Sequence, residues 1–263
     1  MSNLKPAISL TVDLSNPGQF LACCGLFELA SRIDADTLAW FDASHFYLAT
    51  DGSRLESGLL ECNISARALT DREYPARFPS NRNLKSTETI DPIILGAPFN
   101  CEIDWWLAPF PLSEFKTWSG DKQVPVQILE SIQGALQKPR DRSLPSLWLL
   151  QAKLRRSPFY FAVRRPCHPV DIGFSTDKVR NLSILHWPLR ELAVFVALQR
   201  FRTAKFGEWY RYRPWTTPIP INIAAAAACA IQGFGVAYHE FQLAPRDTYG
   251  HRQFSDYQRS NHD

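Results

Sequence analysis

Histidine and cysteine are the residues through which this chain could perform nucleophilic, acid–base or metal-dependent chemistry. It contains 6 Cys and 6 His, but no CxxC pair, and Cys23 and Cys24 are adjacent in an apolar stretch. The best cluster of potential metal ligands, Cys167-His168 with Asp171, has no second histidine nearby. Zinc sites and disulfide frameworks need characteristic cysteine and histidine spacings. We therefore expect reduced thiols in the core, no metal and no cofactor.

No motif of a known catalytic or nucleotide-binding centre is present. The GxSxG of serine hydrolases, the P-loop GxxxxGK[ST] and the dinucleotide-binding GxGxxG are all absent. Cleavage of RNA without a metal needs only one histidine as general base, and His45, His168, His186 and His239 are the candidates for that role. The sequence therefore favours a protein that is not an enzyme, with a metal-independent ribonuclease as the alternative.

The positive charge of the chain is concentrated in residues 137–215. This segment contains 16 Lys and Arg against 5 Asp and Glu, a net charge of +11, whereas the whole chain carries only +3. Residues 1–114 contain 8 Lys and Arg against 15 Asp and Glu, a net charge of −7. A basic segment of this kind is typical of a surface that binds polyphosphate. Aromatic residues are interleaved with its arginines, as in single-strand binding surfaces: Trp148, Phe159, Tyr160, Phe161, Trp209, Tyr210, Tyr212 and Trp215.

Hydrophobic periodicity predicts both strands and helices along the whole chain. Strands are predicted at residues 8–14, 45–50, 102–107, 159–164, 208–213 and 236–243. Helices are predicted at residues 20–33, 124–137, 187–201 and 221–231, with a helix or irregular stretch at 54–69. Ser15 or Asn16 could cap the first helix, with Pro17 in its first turn.

These elements predict one α+β domain that spans residues 1–263. Residues 71–98 contain four prolines among polar residues and are interpreted as a loop insertion, and residues 246–263 as a polar C-terminal tail. The opening residues lack the basic and apolar regions of a secretory signal. The longest apolar run, at 219–231, is shorter than the roughly 20 residues of a membrane span. We therefore expect a cytoplasmic protein.

Residues 12–30, which read VDLSNPGQFLACCGLFELA, resemble the N-terminal signature of a CRISPR-associated family, the third of the Csb proteins of type I-G (formerly I-U) systems. Further stretches similar to this family follow in matching order over nearly the whole chain: Leu84-Lys85, 115–120, 171–175, 198–202 with Trp215 and Pro218, and 246–250. The resemblance implies a subunit of an RNA-guided effector that binds CRISPR RNA and target DNA. It also implies a ferredoxin-like (RAMP-type) core with helical and loop insertions.

Charge and resemblance together predict a non-enzymatic subunit of a Cascade-like type I surveillance complex in antiviral defence, with other effector subunits as partners. Contacts with the nucleic-acid backbone are predicted for Lys116, Arg164, Arg165, Arg200, Arg202, Arg211 and Arg213. Trp209 and Tyr212 are predicted to stack on bases. The alternative for the same basic segment is a protein–protein interaction module that docks an acidic partner.

Overall fold

A computed structural model describes residues 5–67, 92–107, 112–118, 124–156, 158–161, 185–229, 237–245 and 252–262. Within them, helices and antiparallel strands are mixed along the chain, which confirms the predicted α+β class. The helices are α1 (Pro17–Ile33), α2 (Gly52–Glu61), α3 (Val124–Leu136), α4 (Leu144–Leu149), α5 (Pro188–Ala197) and α6 (Ile221–Ala228). The strands are β1 (Ile8–Thr11), β2 (Leu38–Phe41), β3 (His45–Ala49), β4 (Ile64–Ala66), β5 (Ile93–Leu95), β6 (Cys101–Ile103), β7 (Ala204–Phe206), β8 (Trp209–Tyr212), β9 (Ile219–Pro220), β10 (Ala237–Pro245) and β11 (Arg252–His262).

The strand, turn and helix predicted at the start of the chain are confirmed. β1 alternates the buried Ile8 and Leu10 with exposed residues. Asn16 caps α1, because its side-chain oxygen accepts a hydrogen bond from the Gln19 backbone N–H at 3.0 Å. Pro17 occupies the first turn of the helix, where a missing N–H costs nothing.

The first sheet has the strand order β1-β3-β2-β9. Its strands β1 and β2 are connected through α1, with β3 between them, which is the order of the first half of a ferredoxin-like sheet. In that fold the fourth strand lies beside the first, whereas here β9 pairs with β2. The edge of β1 instead meets α4, where the indole N–H of Trp148 donates to the Thr11 carbonyl at 2.9 Å. The ferredoxin-like core is therefore not confirmed.

Two further sheets contain regions that were predicted as loops or helix. One has the order β4-β5-β6 and the other the order β11-β10-β8-β7. The stretch 54–69 divides into α2 and β4, because α2 ends at Glu61. Part of the predicted insertion at 71–98 forms β5, and residues 71–91 lie outside the described residues. The predicted tail at 246–263 contains the strand β11, which pairs with β10.

The strand predicted at 159–164 is not formed by its described residues. Tyr160 has a φ of 62°, in the left-handed region that interrupts an extended chain. Phe159 and Phe161 are both fully buried in the core. The alternating pattern in the sequence around them therefore does not come from a half-exposed strand. Residues 162–164 lie outside the described residues.

A close helix contact joins α1 to α5. A Cβ atom added to Gly25 would lie 1.8 Å from the Ala193 carbonyl oxygen, so only glycine allows the two backbones to approach this closely. Every residue of α5 is buried, which is typical of a central core helix. The Trp105 indole N–H donates to the Phe195 carbonyl at 3.0 Å and ties the chain after β6 to this helix. Among the described residues, no helix combines the length and the apolarity needed to cross a membrane.

The cysteines of the described part of the chain are free thiols. Cys23, Cys24, Cys62 and Cys101 are buried, and Cys229 is half-buried. Burial raises the pKa of the Cys62 and Cys101 thiols to about 11, so both stay protonated and weakly nucleophilic at neutral pH. They act as small core residues.

We expect Gly25→Ala to destabilise the protein, because the added methyl group would overlap the Ala193 carbonyl. Overpacking of this kind costs about 1–3 kcal/mol or more. Gly134→Ala in α3 is the control, because a Cβ at Gly134 meets nothing within 4 Å. That change should stabilise the helix by up to about 1 kcal/mol. Urea unfolding measures the stability of both variants. If Gly25→Ala were as stable as the wild type, that result would contradict the close contact.

Candidate nucleic-acid interface

The basic residues of 137–215 divide into those with partners inside the protein and those at its surface. Arg190 belongs to the first group, because its guanidinium lies 4.6 Å from the Trp148 ring centroid and 5.1 Å from that of Trp187. Its Nε–H donates to the Trp148 carbonyl at 3.2 Å. Burial lowers the pKa of Arg190 to about 10. This arginine is a core residue.

Arg200 also has a structural partner. Its Nε lies 2.5 Å from the Oε2 atom of Glu28, a buried carboxylate on α1 that also binds Arg32 at 2.8 Å. A second donor, Nη1, lies 3.3 Å from the Oδ1 atom of Asn222. The position of Arg200 therefore does not support its predicted contact with the nucleic-acid backbone, because its guanidinium neutralises Glu28.

β8 alternates as the sequence predicts, with Trp209 and Arg211 half-buried on one side and Tyr210 and Tyr212 buried on the other. Tyr212 is wholly buried: its ring stacks on Phe20 at a centroid distance of 4.5 Å, and its hydroxyl donates to the Leu14 carbonyl at 2.9 Å. No face of this ring is open to a base. The stacking role predicted for Tyr212 is therefore wrong for this conformation.

Most of the other aromatic residues interleaved with the arginines are buried as well. They belong to the hydrophobic core: Trp148, Phe159, Phe161, Tyr210 and Trp215. Their regular occurrence among the arginines therefore reflects packing of the core and not a continuous stacking surface. Trp209 and Tyr160 are half-buried and are the exceptions.

Arg211 lies between two aromatic rings at the β7–β8 hairpin. Its guanidinium is 4.1 Å from the Phe206 centroid and 3.9 Å from the Tyr238 centroid, and it donates to Oε1 of Glu240 at 2.7 and 3.0 Å. Phe206 is 49% exposed and precedes Gly207, whose φ of 61° suits the first central residue of a type II′ turn. The hairpin thus presents one exposed aromatic ring on a neutralised arginine.

The remaining predicted contacts lie at separate places. Arg213 is only 8% exposed, 5.8 Å from the Tyr238 ring, so the structure brings it close to Arg211. Lys116 is half-buried over the Trp118 ring at 5.8 Å, and desolvation lowers its pKa. Arg202 is exposed beside the end of α6, where its carbonyl accepts a hydrogen bond from the Cys229 thiol. Arg164 and Arg165 lie outside the described residues.

The exposed basic residues that the sequence prediction missed lie in residues 138–156. They are Lys138, Arg140, Arg142, Lys153, Arg155 and Arg156. Asp141 is the single acidic residue of this stretch. Four of the six cations line one cleft along α3: Lys138, Lys153, Arg155 and Arg156. A charge count in a shorter window would have found them, because 6 Lys and Arg against 1 Asp give +5 within these residues.

His45 lies beside a hydroxyl and a carboxylate but is not part of a catalytic triad. Ser44 Oγ lies 2.9 Å from Nδ1 of His45, and Asp42 Oδ1 lies 3.5 Å from the same nitrogen. In a catalytic triad the carboxylate and the nucleophile contact opposite nitrogens of the ring, so these three residues are not such a relay. No three His, Cys, Asp or Glu side chains of the described part could hold a metal ion. The other candidates are half-buried or lie outside the described residues: His186, His239 and His168.

Arg200→Gln should lower the free energy of unfolding by about 1–3 kcal/mol, because it leaves the buried Glu28 carboxylate with one partner fewer. Arg202→Gln is the matched control: its side chain is exposed, and such changes stay within about 0.5 kcal/mol. Denaturant unfolding of the two variants gives the comparison. Equal stabilities would show that the Glu28 pair is not structural.

Comparison of the chain with protein-family models, with curated proteins and with solved structures finds no match. The sequence resemblance and the positions of the charged side chains are therefore what a functional proposal rests on.

Proposed function

We propose that this protein is a non-enzymatic subunit of a type I CRISPR RNA-guided effector complex, in which it holds the backbone of CRISPR RNA, target DNA or both. The resemblance of residues 12–30, and of shorter stretches along the chain, supports the family. The exposed cations of residues 138–156 support contact with nucleic acid and are the observation that carries the proposal.

Three of these cations differ from Arg200, Lys205 and Arg211 in having no carboxylate partner among the described residues. Arg200, Lys205 and Arg211 pair with Glu28, Glu114 and Glu240, respectively. Within the described residues, Arg140, Arg155 and Arg156 form no ion pair with a carboxylate. Cations at the surface attract phosphates and release the counterions condensed on the strand, which supplies sequence-independent affinity.

A sequence-independent contact suits an RNA-guided complex. In such effectors base pairing with the guide reads the target sequence, while protein subunits hold backbone and shape. A subunit with this task needs basic surface and does not need a catalytic centre. The exposed Phe206 ring offers an additional stacking contact at the β7–β8 hairpin. Assembly with other effector subunits in the cytoplasm belongs to the same proposal.

The proposal is tested by measuring binding of single-stranded RNA as a function of salt, by the purified protein and by the assembled complex. For Arg155→Gln we expect weaker binding to every RNA sequence. The slope of log K against log salt concentration should become shallower by about 0.7 for each phosphate that the variant leaves without a cation. Arg54→Gln, an exposed arginine on α2, is the matched control and should leave the slope unchanged. Salt-insensitive binding, or none by the complex, would overturn the proposal.

Two further measurements separate the alternatives. Specific cleavage of repeat RNA in EDTA, abolished by His45→Ala, would show a metal-independent ribonuclease. Complexes that survive nuclease treatment, and that Arg211→Glu disrupts while RNA is retained, would show a protein–protein module. Under the proposal, RNA stays intact in EDTA, and nuclease treatment removes the nucleic acid that the basic residues bind.

A further inference from the structure

We infer that the cleft between α3 and residues 153–156 binds a phosphodiester group of a single nucleic-acid strand; this inference rests on the proposed function. The cleft has a volume of about 550 Å³. One wall is the side of α3 that carries the buried Ser131 and the exposed Gly134, and the other carries the basic residues that follow α4. The residues predicted from sequence did not include this site.

The cleft carries a concentrated positive charge. Lys138, Lys153, Arg155 and Arg156 line it together with a single carboxylate, Glu130. Lys138, Arg155 and Arg156 share one concave surface on which like charges repel each other, and the low-dielectric walls concentrate their field on whatever enters. A bound anion relieves this repulsion. Arginine forks in addition match the geometry of phosphate oxygens.

The backbone beside the cleft is fixed before any ligand binds. The hydroxyl oxygen of Ser131 accepts hydrogen bonds from the backbone N–H groups of both Arg155 and Arg156, at 2.8 and 3.2 Å. Ser131 is only 8% exposed, so these bonds are protected from water. They hold the bend at which both arginine side chains meet the cleft. With the backbone already fixed, only the side-chain freedom of the two arginines is lost when a ligand binds.

The α3 wall of the cleft contains a glycine that packing does not require. Gly134 lies inside α3 and lines the cleft, and a Cβ there would meet nothing within 4 Å. Glycine in a helix interior costs about 1 kcal/mol relative to alanine. The absent side chain leaves the α3 wall open, so that a ligand can approach the helix backbone. The protein forgoes helix stability at a position that shapes the cleft.

A nucleic-acid strand is the occupant that fits these features. The cleft is larger than one phosphate group needs and is open to the surface, so one phosphodiester group fits in it while the rest of the strand continues outside. Its lining includes no aromatic ring on which a base could stack, and Gln127 is its only side-chain amide. The other polar side chains are charged or, like Ser131, bonded to the backbone. The cleft therefore suits the sugar–phosphate backbone and not the base sequence.

The test uses Gly134→Leu in the full chain, with fluorescence anisotropy of labelled oligouridylate as readout. The leucine is uncharged and fills the cleft, so we expect affinity to fall by about tenfold. Ser57→Leu, at an exposed position of α2, is the matched control and should bind like wild type. Thermal unfolding should show that Gly134→Leu is at least as stable as wild type, because leucine is a better helix former than glycine.

The outcomes are distinguishable. If wild type and Gly134→Leu bind the RNA equally, the cleft is not the site and the proposed function still stands. If neither binds, alone or in the assembled complex, the proposed function fails and the inference with it. If polyglutamate competes with the RNA at equal charge concentration, and Gly134→Leu weakens both, the cleft is a site for acidic protein and the assignment to a phosphodiester is overturned.

Discussion

The contact between Gly25 of α1 and Ala193 of α5 is the constraint on which the rest of the structure depends. It brings the acidic first part of the chain against the basic segment at backbone distance. Glu28, about one turn further along α1, consequently reaches Arg200 just beyond the end of α5. The Phe195 carbonyl of α5 receives the Trp105 indole N–H. A wider separation of α1 and α5 would remove the Glu28–Arg200 pair, because side chains of fixed length could no longer bridge the gap.

Pairing with acids from distant parts of the chain decides which positive charges are available to a ligand. The acids that neutralise Arg200, Lys205 and Arg211 all come from outside residues 137–215. A count along the sequence therefore overstates the available charge of the later part of the segment. Within residues 138–156 the single acid is Asp141, and its carboxylate accepts hydrogen bonds from Ser143 and Ser146. Among the described residues, the cations of 138–156 are therefore less neutralised by acids than Arg200, Lys205 and Arg211.

Local patterns in the sequence predicted local structure well. The cap at Asn16 and the alternation of β8 depend on neighbouring residues only, and both are confirmed. Alternation does not say which face of a strand becomes the core, however. Tyr212 was therefore predicted to stack on a base, although its ring packs on Phe20. Partners distant in sequence, such as Glu28 and Arg200, left no local signal. Strand β11 escaped prediction for the same reason, since its polar residues become a strand only through pairing with β10.

The most informative position in the basic cleft is a glycine and not a charged residue. Charged residues near a helix end have an ordinary structural use, since cations there stabilise the helix dipole. Lys138 fits that use, two residues beyond the end of α3. Gly134 does not, because it weakens the helix and relieves no clash. Charge alone is compatible with a solvated face as well as with a binding site, whereas a ligand in the cleft would explain the open helix wall beside the fixed backbone of Arg155 and Arg156.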